Sequence, residues 1–558
     1  MQLEKALYGE NPYSRRRYLV PAAVMSVAAL VPLVATQSAC DDTTDPSSSV
    51  SAPACAPVAV SAPVGTQVES VVALRQPGGT VNFPPPAFGP TPPPIQDVPA
   101  YCEQTVTLTH PGAGDHVRVK VALPETGWTG RFLALGGSAY SAGDFGAPLV
   151  QAAKDGYAAV STDAGLPLTY FETSWGLNAD GTINEALLTN FASRSVHEAA
   201  VIGKEVTQKF YHRPVSYSYW SGCSTGGRQG YSEAQNYPDD FDGILARAPA
   251  IQWSQFAVAA LWPQIVMSQE HDFPSNCEFD AFKNAAIQAC DARDGVSDGL
   301  IEQPDACDYD PRNLVGTKVV CDGHEITVTA ADAEVVRKIW AGPTDEHDRK
   351  LWPGLPKGAD FSGLAATATD ASGHLFAPGF RVAVGWVQTF LEKQTGFDTS
   401  KISYDQFAEL FRQSVKDYDR IIGTSNPDLS AFRDGGGKLL TWQGAFDQLI
   451  TPAGTTIDYR QRVEALLGGA RRVDDFYRVF VAPGVAHCEG GTGPIPTNAM
   501  DALVNWVEHG KAPDTLPAAT TNASGKHVTR NLCRYPQISR YVSPGDPNEA
   551  TSFECADH

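Results

Sequence analysis

Apolar and polar residues alternate along 66–74, 105–109 and 117–121, the two-residue period of strands that turn one face inward. Past residue 130 the pattern changes. Short apolar runs at 131–135, 157–161, 215–220 and 243–246 predict further strands, and helical periodicity lies between them at 195–210 and 227–236. The runs end in turn-forming residues: Gly136-Gly137, then Thr162-Asp163-Ala164-Gly165, then Gly222. Strands alternating with helices predict an α/β fold with a parallel sheet and crossover helices. From about 251 to 434 the rhythm breaks into irregular, aromatic-containing segments with a cluster of aspartates. Strand patterning resumes at 438–442, after Gly435-Gly436-Gly437, and again at 477–481. The expected organisation is a sheet domain at 65–250 and 435–558, interrupted by a lid domain at 251–434. No internal repeat is present.

The first 64 residues read differently. Ser14-Arg15-Arg16-Arg17-Tyr18-Leu19 has the form of a twin-arginine export signal, and an apolar run to residue 35 follows. Pro21 and Pro32 interrupt that run, whereas about 20 uninterrupted apolar residues are needed to cross a bilayer. Residues 1–39 are therefore expected to be a signal peptide, and 40–64, rich in Ser, Thr, Pro and Ala, a flexible tether. Export to the periplasm or beyond is the expected address. Cys40 stands where a lipoprotein cysteine would lie, after Gln37-Ser38-Ala39, which leaves a lipid anchor at the cell surface open. The formal net charge is −21; without residues 1–39, which carry four basic and two acidic side chains, it is about −23. No basic stripe follows the signal, so nucleic acid is excluded as a partner.

Eleven cysteines in an exported chain point to disulfides. With Cys40 set aside, sequence order suggests Cys55–Cys102, Cys290–Cys307 and Cys533–Cys555 as local loops. It also suggests Cys223–Cys488, and leaves Cys277–Cys321 by elimination. Spacing alone leaves the connectivity open.

Gly222-Cys223-Ser224-Thr225-Gly226 fits the nucleophile-elbow pattern G-x-S-x-G, and it lies between a predicted strand and a predicted helix, the context that motif requires. The turn lifts the serine Oγ above the sheet, and the helix start behind it offers N–H groups to an oxyanion. Partners are expected in the order acid, then histidine. Asp447 follows the strand at 438–442, and His487, directly before Cys488, follows the strand at 477–481. Ser224 is then the nucleophile, His487 the general base and Asp447 its orienting acid. Oxyanion donors are expected from the N–H of Thr225 and from Gly136 or Gly137. Most other histidines have plainer roles: His197 as a capping or packing residue within its helix, and His110, His116, His271 and His324 at surface or loop positions.

The run from Gly222 to Gly230, with Ala234-Gln235, Tyr237-Pro238, Asp240-Phe241-Asp242-Gly243-Ile244 and Ala248-Pro249-Ala250, resembles the tannase and feruloyl esterase family, and the likeness extends from about residue 50 to the C-terminus. The resemblance implies an α/β-hydrolase core with a large inserted lid, and a Cys-Ser, Asp, His-Cys site at Cys223-Ser224, Asp447 and His487-Cys488. Gly136-Gly137-Ser138 departs from the longer glycine run common in that family. The chain also carries an acidic loop, Asp291 to Leu300, whose third and fifth places (Arg293, Gly295) do not fit an EF-hand. The resemblance implies a structural calcium there, held by Asp291, Asp294 and Asp298 with the carbonyls of Val296 and Leu300. The expected function is a secreted serine esterase acting through an acyl-enzyme on small esters of aromatic acids, of feruloyl, galloyl or terephthalate half-ester type. The alternatives are a general carboxylesterase or a surface binding protein that keeps the fold without turnover. Trp352, Phe376, Trp386 and Phe390 could line an acyl pocket or fill the lid core. Arg381, Lys393 and Lys401 are candidate partners for a substrate carboxylate.

Overall fold

The computed structural model describes residues 54–85, 90–321 and 323–557; the expected signal segment, Cys40 and the start of the tether lie outside the described residues. Nine strands form the main sheet: β1 (Gln67–Gln76), β2 (Tyr101–Thr109), β3 (Val117–Pro124), β4 (Arg131–Leu135), β5 (Ala158–Thr162), β6 (Tyr217–Cys223), β7 (Gly243–Arg247), β8 (Lys438–Gly444) and β9 (Tyr477–Ala482). Their order across the sheet is β1-β2-β3-β5-β4-β6-β7-β8-β9. The pairs from β1 through β3 to β5 are antiparallel, and every pair from β5 through β4 to β9 is parallel. This is the α/β-hydrolase arrangement, carrying helices on both faces.

The parallel strands are buried on both faces, as crossover helices demand. Successive residues serve opposite layers. Phe132, Ile244, Leu439 and Val479 join helices α2 (Ser195–Tyr211), α3 (Thr225–Asn236) and α4 (Thr456–Leu467) in one core. Leu133, Leu245, Leu440 and Phe480 pack on the other side with α1 (Ala147–Lys154) and α5 (Ala499–His509). The elements begin and end close to the sequence-based bounds. The third apolar run continues to Cys223, and its helix starts at Thr225 rather than 227, because the elbow itself is the turn. The flanking helices α1, α4 and α5 and the C-terminal ribbon of Thr515–Thr521 with His527–Cys533 were not anticipated.

Between β7 and β8 the chain makes a large insertion of helices, including Trp253–Ala259, Trp262–Glu270, Asn276–Cys290, Ala330–Ala341 and Tyr404–Tyr418. Three of these start in capping boxes, Ser275 with Glu278, Thr329 with Asp332 and Ser403 with Gln406, so their first N–H groups are satisfied locally. The insertion core is aromatic. Trp386 stacks on Phe390 at 4.5 Å and meets Trp253 edge-on at 6.1 Å. Both Trp386 and Phe390 are fully packed, Trp352 is nearly so, and Phe376 is exposed. The same cluster takes in Tyr140, Phe446 and Ile450 from loops of the sheet domain and Phe191 from the helical turn before α2, so insertion and sheet share apolar packing. All five expected disulfides are present: Cys55–Cys102, Cys223–Cys488, Cys277–Cys321, Cys290–Cys307 and Cys533–Cys555. No helix among the described residues is long and apolar enough to cross a membrane.

Helix α4 is tied to β9 by Arg460, whose side chain is fully buried between Glu464 at 2.6 Å and Asp474 at 2.5 Å and also donates to the Tyr477 carbonyl. Removing Arg460 leaves two partly exposed carboxylates, and Asp474 keeps Arg534 at 2.6 Å, so the cost is about 2–3 kcal/mol, below that of breaking a wholly buried pair. Arg460→Met is expected to destabilise by that order, read from the midpoint of urea unfolding.

Candidate active site

Ser224 sits between β6 and α3 at φ 60° and ψ −121°, a strained conformation for a side-chain-bearing residue. The strain is held by backbone hydrogen bonds: Ser224 N–H donates to the Arg247 carbonyl at 3.0 Å, and the Ser224 carbonyl accepts from Arg228 at 2.9 Å and Ala250 at 3.0 Å. The turn closes so tightly that a Cβ on Gly222 would lie 2.4 Å from the Gly226 carbonyl, so only glycine fits. Thr225 is the first residue of α3, where the N–H has no intrahelical acceptor. Its hydroxyl donates to the Ala139 carbonyl at 2.7 Å, which fixes the helix start against the β4 loop.

The loops after β8 and β9 are laced together by Ala445 N–H to the Ala482 carbonyl (2.8 Å) and Phe446 N–H to the Val485 carbonyl (3.0 Å). Asp447, on the first loop, is fully buried. Its Oδ1 accepts the N–H groups of Leu449 at 3.0 Å and Ile450 at 2.8 Å, and its Oδ2 accepts from Gln443 Nε2 at 3.1 Å. His487 Nδ1 lies 3.1 and 3.0 Å from the two Asp447 oxygens. With Nδ1 against a carboxylate, the imidazole carries its proton there and leaves Nε2 as the basic nitrogen. The next residue, Cys488, is bonded to Cys223 with Cα atoms 6.0 Å apart. Asp447 and His487 are thus in direct contact, and His487 is held to the Ser224 turn by a covalent bridge one residue away on each side.

The expectation for the glycines is corrected. Gly136 N–H donates to the Ser221 carbonyl at 3.1 Å and Gly137 N–H to Gln229 Oε1 at 3.0 Å, so both donors are engaged within the protein. These residues let the β4 loop pass close to α3; they do not present an N–H to a substrate.

Two residues of the recognised motif gain roles that their spacing did not indicate. Arg228 is fully buried and donates to the carbonyls of Ala192 (2.8 Å) and Phe191 (3.0 Å), with burial pushing its pKa down to about 9. Gln229 bridges Gly137 to the Ala142 carbonyl. Gln443 and Gln448, which brace Asp447 and His487, were also missed; the only signal was their place in the strand-end run Gln443 to Gln448. His197 packs as expected, stacked on Tyr237 at 4.0 Å and bonded to Asp240 at 2.6 Å. With Glu233 these two make the His/Asp/Glu group whose donor atoms all lie within 4.8 Å among the described residues. His110 lies on a loop, as expected, but not at the surface. It is buried between Asp115 at 2.6 Å and Glu198 at 2.8 Å, since two carboxylates remove the penalty of burying an imidazole.

In the acidic loop, Asp291 Oδ1 accepts the N–H groups of Asp298 (3.0 Å) and Gly299 (3.1 Å), and Asp294 Oδ1 accepts that of Val296 (3.1 Å). Asp298 Oδ1 accepts from Leu300 N–H at 3.1 Å, while its Oδ2 pairs with Arg530 at 2.6 Å. Burial pushes the Asp294 carboxyl up to about 6, with the charges of Asp298 and Asp291 adding to it. Burial likewise holds the Asp298 carboxyl above the usual range, so these two hard oxygen donors would gain from a neutralising hard cation, with Asp291 beside them. Of the candidate cations for a substrate carboxylate, Arg381 lies over the Phe171 ring at 4.2 Å and Lys401 pairs with Asp398 at 3.2 Å.

Comparison with known proteins agrees with this architecture. Residues 102–556 match the family model described as tannase and feruloyl esterase. A probable feruloyl esterase from Arthroderma benhamiae is 47% identical over 498 residues, 88% of this chain and 91% of that protein. Feruloyl esterase B from Aspergillus niger is 31% identical, over 79% of this chain and 84% of its own length. Among solved structures, tannin acyl hydrolase from Aspergillus niger superposes with a TM-score of 0.80 at 27% identity, covering 89% of this chain and 92% of that one. Feruloyl esterase B from Aspergillus oryzae does so with a TM-score of 0.73 at 28% identity, covering 88% and 97%. The family match over residues 102–556 and the 47% identity over 88% of the chain place this protein in the tannase and feruloyl esterase family of carboxylic-ester hydrolases.

Proposed function

We propose that this hydrolase is an exported serine esterase that cleaves esters of aromatic acids through an acyl-enzyme. The observation that carries the reading is the Asp447–His487 contact, anchored to the Ser224 turn through Cys223–Cys488. Ser224 Oγ attacks the ester carbonyl while His487 Nε2 takes its proton. The tetrahedral oxyanion forms against the N–H of Thr225 at the start of α3, and collapse expels the alcohol, which receives the proton from His487. Water then repeats the sequence on the acyl-enzyme. Asp447 orients the ring and stabilises the imidazolium that forms in both halves. The names of the similar proteins support feruloyl esters and tannins as the substrate class, with galloyl esters and terephthalate half-esters further candidates. The twin-arginine pattern and the five disulfides support export. A calcium ion held by Asp291, Asp294 and Asp298 with the carbonyls of Val296 and Leu300 would supply charge neutralisation in a loop bracketed by Cys290–Cys307. Its role is structural.

Ser224→Ala is expected to fold normally and to lose ~10³-fold or more in kcat on methyl ferulate, methyl gallate or a terephthalate half-ester, whichever is turned over. Labelling of the parent by a fluorophosphonate and not of the variant identifies the nucleophile; a variant with a tenth of parent activity removes Ser224 from the mechanism. Replacing both Cys223 and Cys488 by serine should lower kcat by more than the stability change accounts for, since a base displaced by about 1 Å can lose ~100-fold. Parallel kinetics and thermal melts check this. Chelation should lower the melting temperature, with excess calcium restoring it, because an ion bound only to the folded chain stabilises by mass action. Calcium-free purified protein together with an Asp294→Ala variant that melts like the parent would make the loop a solvated turn.

A further inference from the structure

His487 is gripped at three points, and one of them leads out of the sheet domain. Asp447 holds the ring, and Cys488 holds the residue after it. The third grip is on the backbone: His487 N–H donates to Gln448 Oε1 at 2.9 Å. The neighbouring amides of this loop bond within it, Ala486 N–H to the Gly490 carbonyl and Glu489 N–H to the His487 carbonyl. With Phe446 N–H on the Val485 carbonyl, the His487 amide is a second place where a group outside the loop sets its position. Gln448 is in turn set by the insertion between β7 and β8. A Cβ built on Gly363 of the insertion would lie 2.6 Å from Gln448 Cγ, 2.8 Å from Leu449 Cδ2 and 3.2 Å from the Gln448 carbonyl, so the bare backbone of residue 363 abuts that side chain.

The turn that presents Gly363 is itself well fixed. Phe361 is buried and stacks on Phe279 of the insertion at 4.6 Å. Asp360 caps the turn by accepting Ser362 N–H at 2.8 Å and pairs with Lys283 at 3.1 Å. A rigid part of the insertion thus backs the glutamine that holds the histidine.

We propose that Gln448 is a positioning residue for the general base, and that the insertion acts on the chemistry through Gly363 and Gln448; this rests on His487 being the base. The amide of Gln448 is a neutral acceptor, so it fixes the His487 backbone without adding charge beside the imidazole. Loss of that acceptor leaves the His487 N–H without its partner and lets the loop slide. A shift of about 1 Å at the base loses up to ~100-fold in rate, and a positioning role places that loss on kcat rather than on KM.

The test compares Gln448→Met, Gln448→Glu, Gly363→Ala and His487→Ala on methyl ferulate, or on whichever aromatic ester the parent turns over, with a thermal melt for each. Gln448→Met should lower kcat by ~10- to 100-fold with KM within about twofold of the parent. Gln448→Glu, which keeps an acceptor oxygen at the same reach but puts charge beside the imidazole, should recover part of that loss and move the acidic limb of the pH–rate profile to higher pH. Gly363→Ala should lower kcat in the same direction although Gln448 is intact, because its new methyl displaces the Gln448 stem. An unchanged kcat in Gln448→Met, a loss confined to KM, or a Gln448→Glu no better than Gln448→Met at a pH above its shifted acidic limb overturns the proposal. If Gln448→Met does not fold, an unchanged kcat in Gly363→Ala overturns it instead. Activity surviving in His487→Ala sinks the underlying assignment of the base; an inactive His487→Ala beside a fully active Gln448→Met sinks this inference alone.

Discussion

The parallel register of β6, β7, β8 and β9 is the constraint on which the site depends. Cys223 stands beside Arg247, Arg247 beside Trp442, and Trp442 beside Phe480, so these strands end along one edge of the sheet. The serine turn, the aspartate loop and the histidine loop leave from that edge. No long-range force has to bring the three together; hydrogen bonding between parallel strands already aligns them, and burial on both faces fixes the register against slippage. The crossover helices supply that burial, with alternate residues of each strand committed to opposite cores.

Alignment to within a strand spacing is not yet catalytic geometry, and the finer placement is electrostatic and covalent. Asp447 is stripped of water and compensated by two backbone N–H groups, the Gln443 amide and the imidazole. A carboxylate so fully bonded has little freedom to rotate, and it passes its orientation to the ring of His487. The cystine beside Ser224 and His487 then limits how far the two loops can separate. Gln448 adds the remaining degree of freedom, the height of the loop backbone, and takes it from the insertion.

The insertion is consequently more than an appendage. Its aromatic core runs without a break into Tyr140, Phe191 and Phe446 of the sheet domain. Trp386 and Phe390, which from the sequence could have lined an acyl pocket, are spent on that packing, while Phe376 is exposed. Buried Arg228 belongs to the same junction: its donors meet carbonyls of the segment before α2, and its guanidinium lies over the rings of Phe191 (5.4 Å) and Trp253 (5.7 Å).

The sequence by itself determined the α/β sheet, the elbow at Ser224 and the loops at Asp447 and His487, because these depend on local signals. A two-residue or helical period, a glycine-flanked turn and a strand followed by an acidic or histidine loop are each written within a few neighbouring residues. Sequence order suggested the disulfide partners without excluding other pairings, since spacing does not record which cysteines meet. The tertiary structure alone decided the rest. It spent the N–H groups of Gly136 and Gly137 on Ser221 and Gln229, which no local pattern reveals, because an amide's partner is set by what the fold brings within 3 Å. It buried His110 between Asp115 and Glu198, the latter 88 residues away in the chain. It also set Gln448 between His487 and Gly363, a contact among three segments whose meeting is fixed only when the insertion packs back on the sheet.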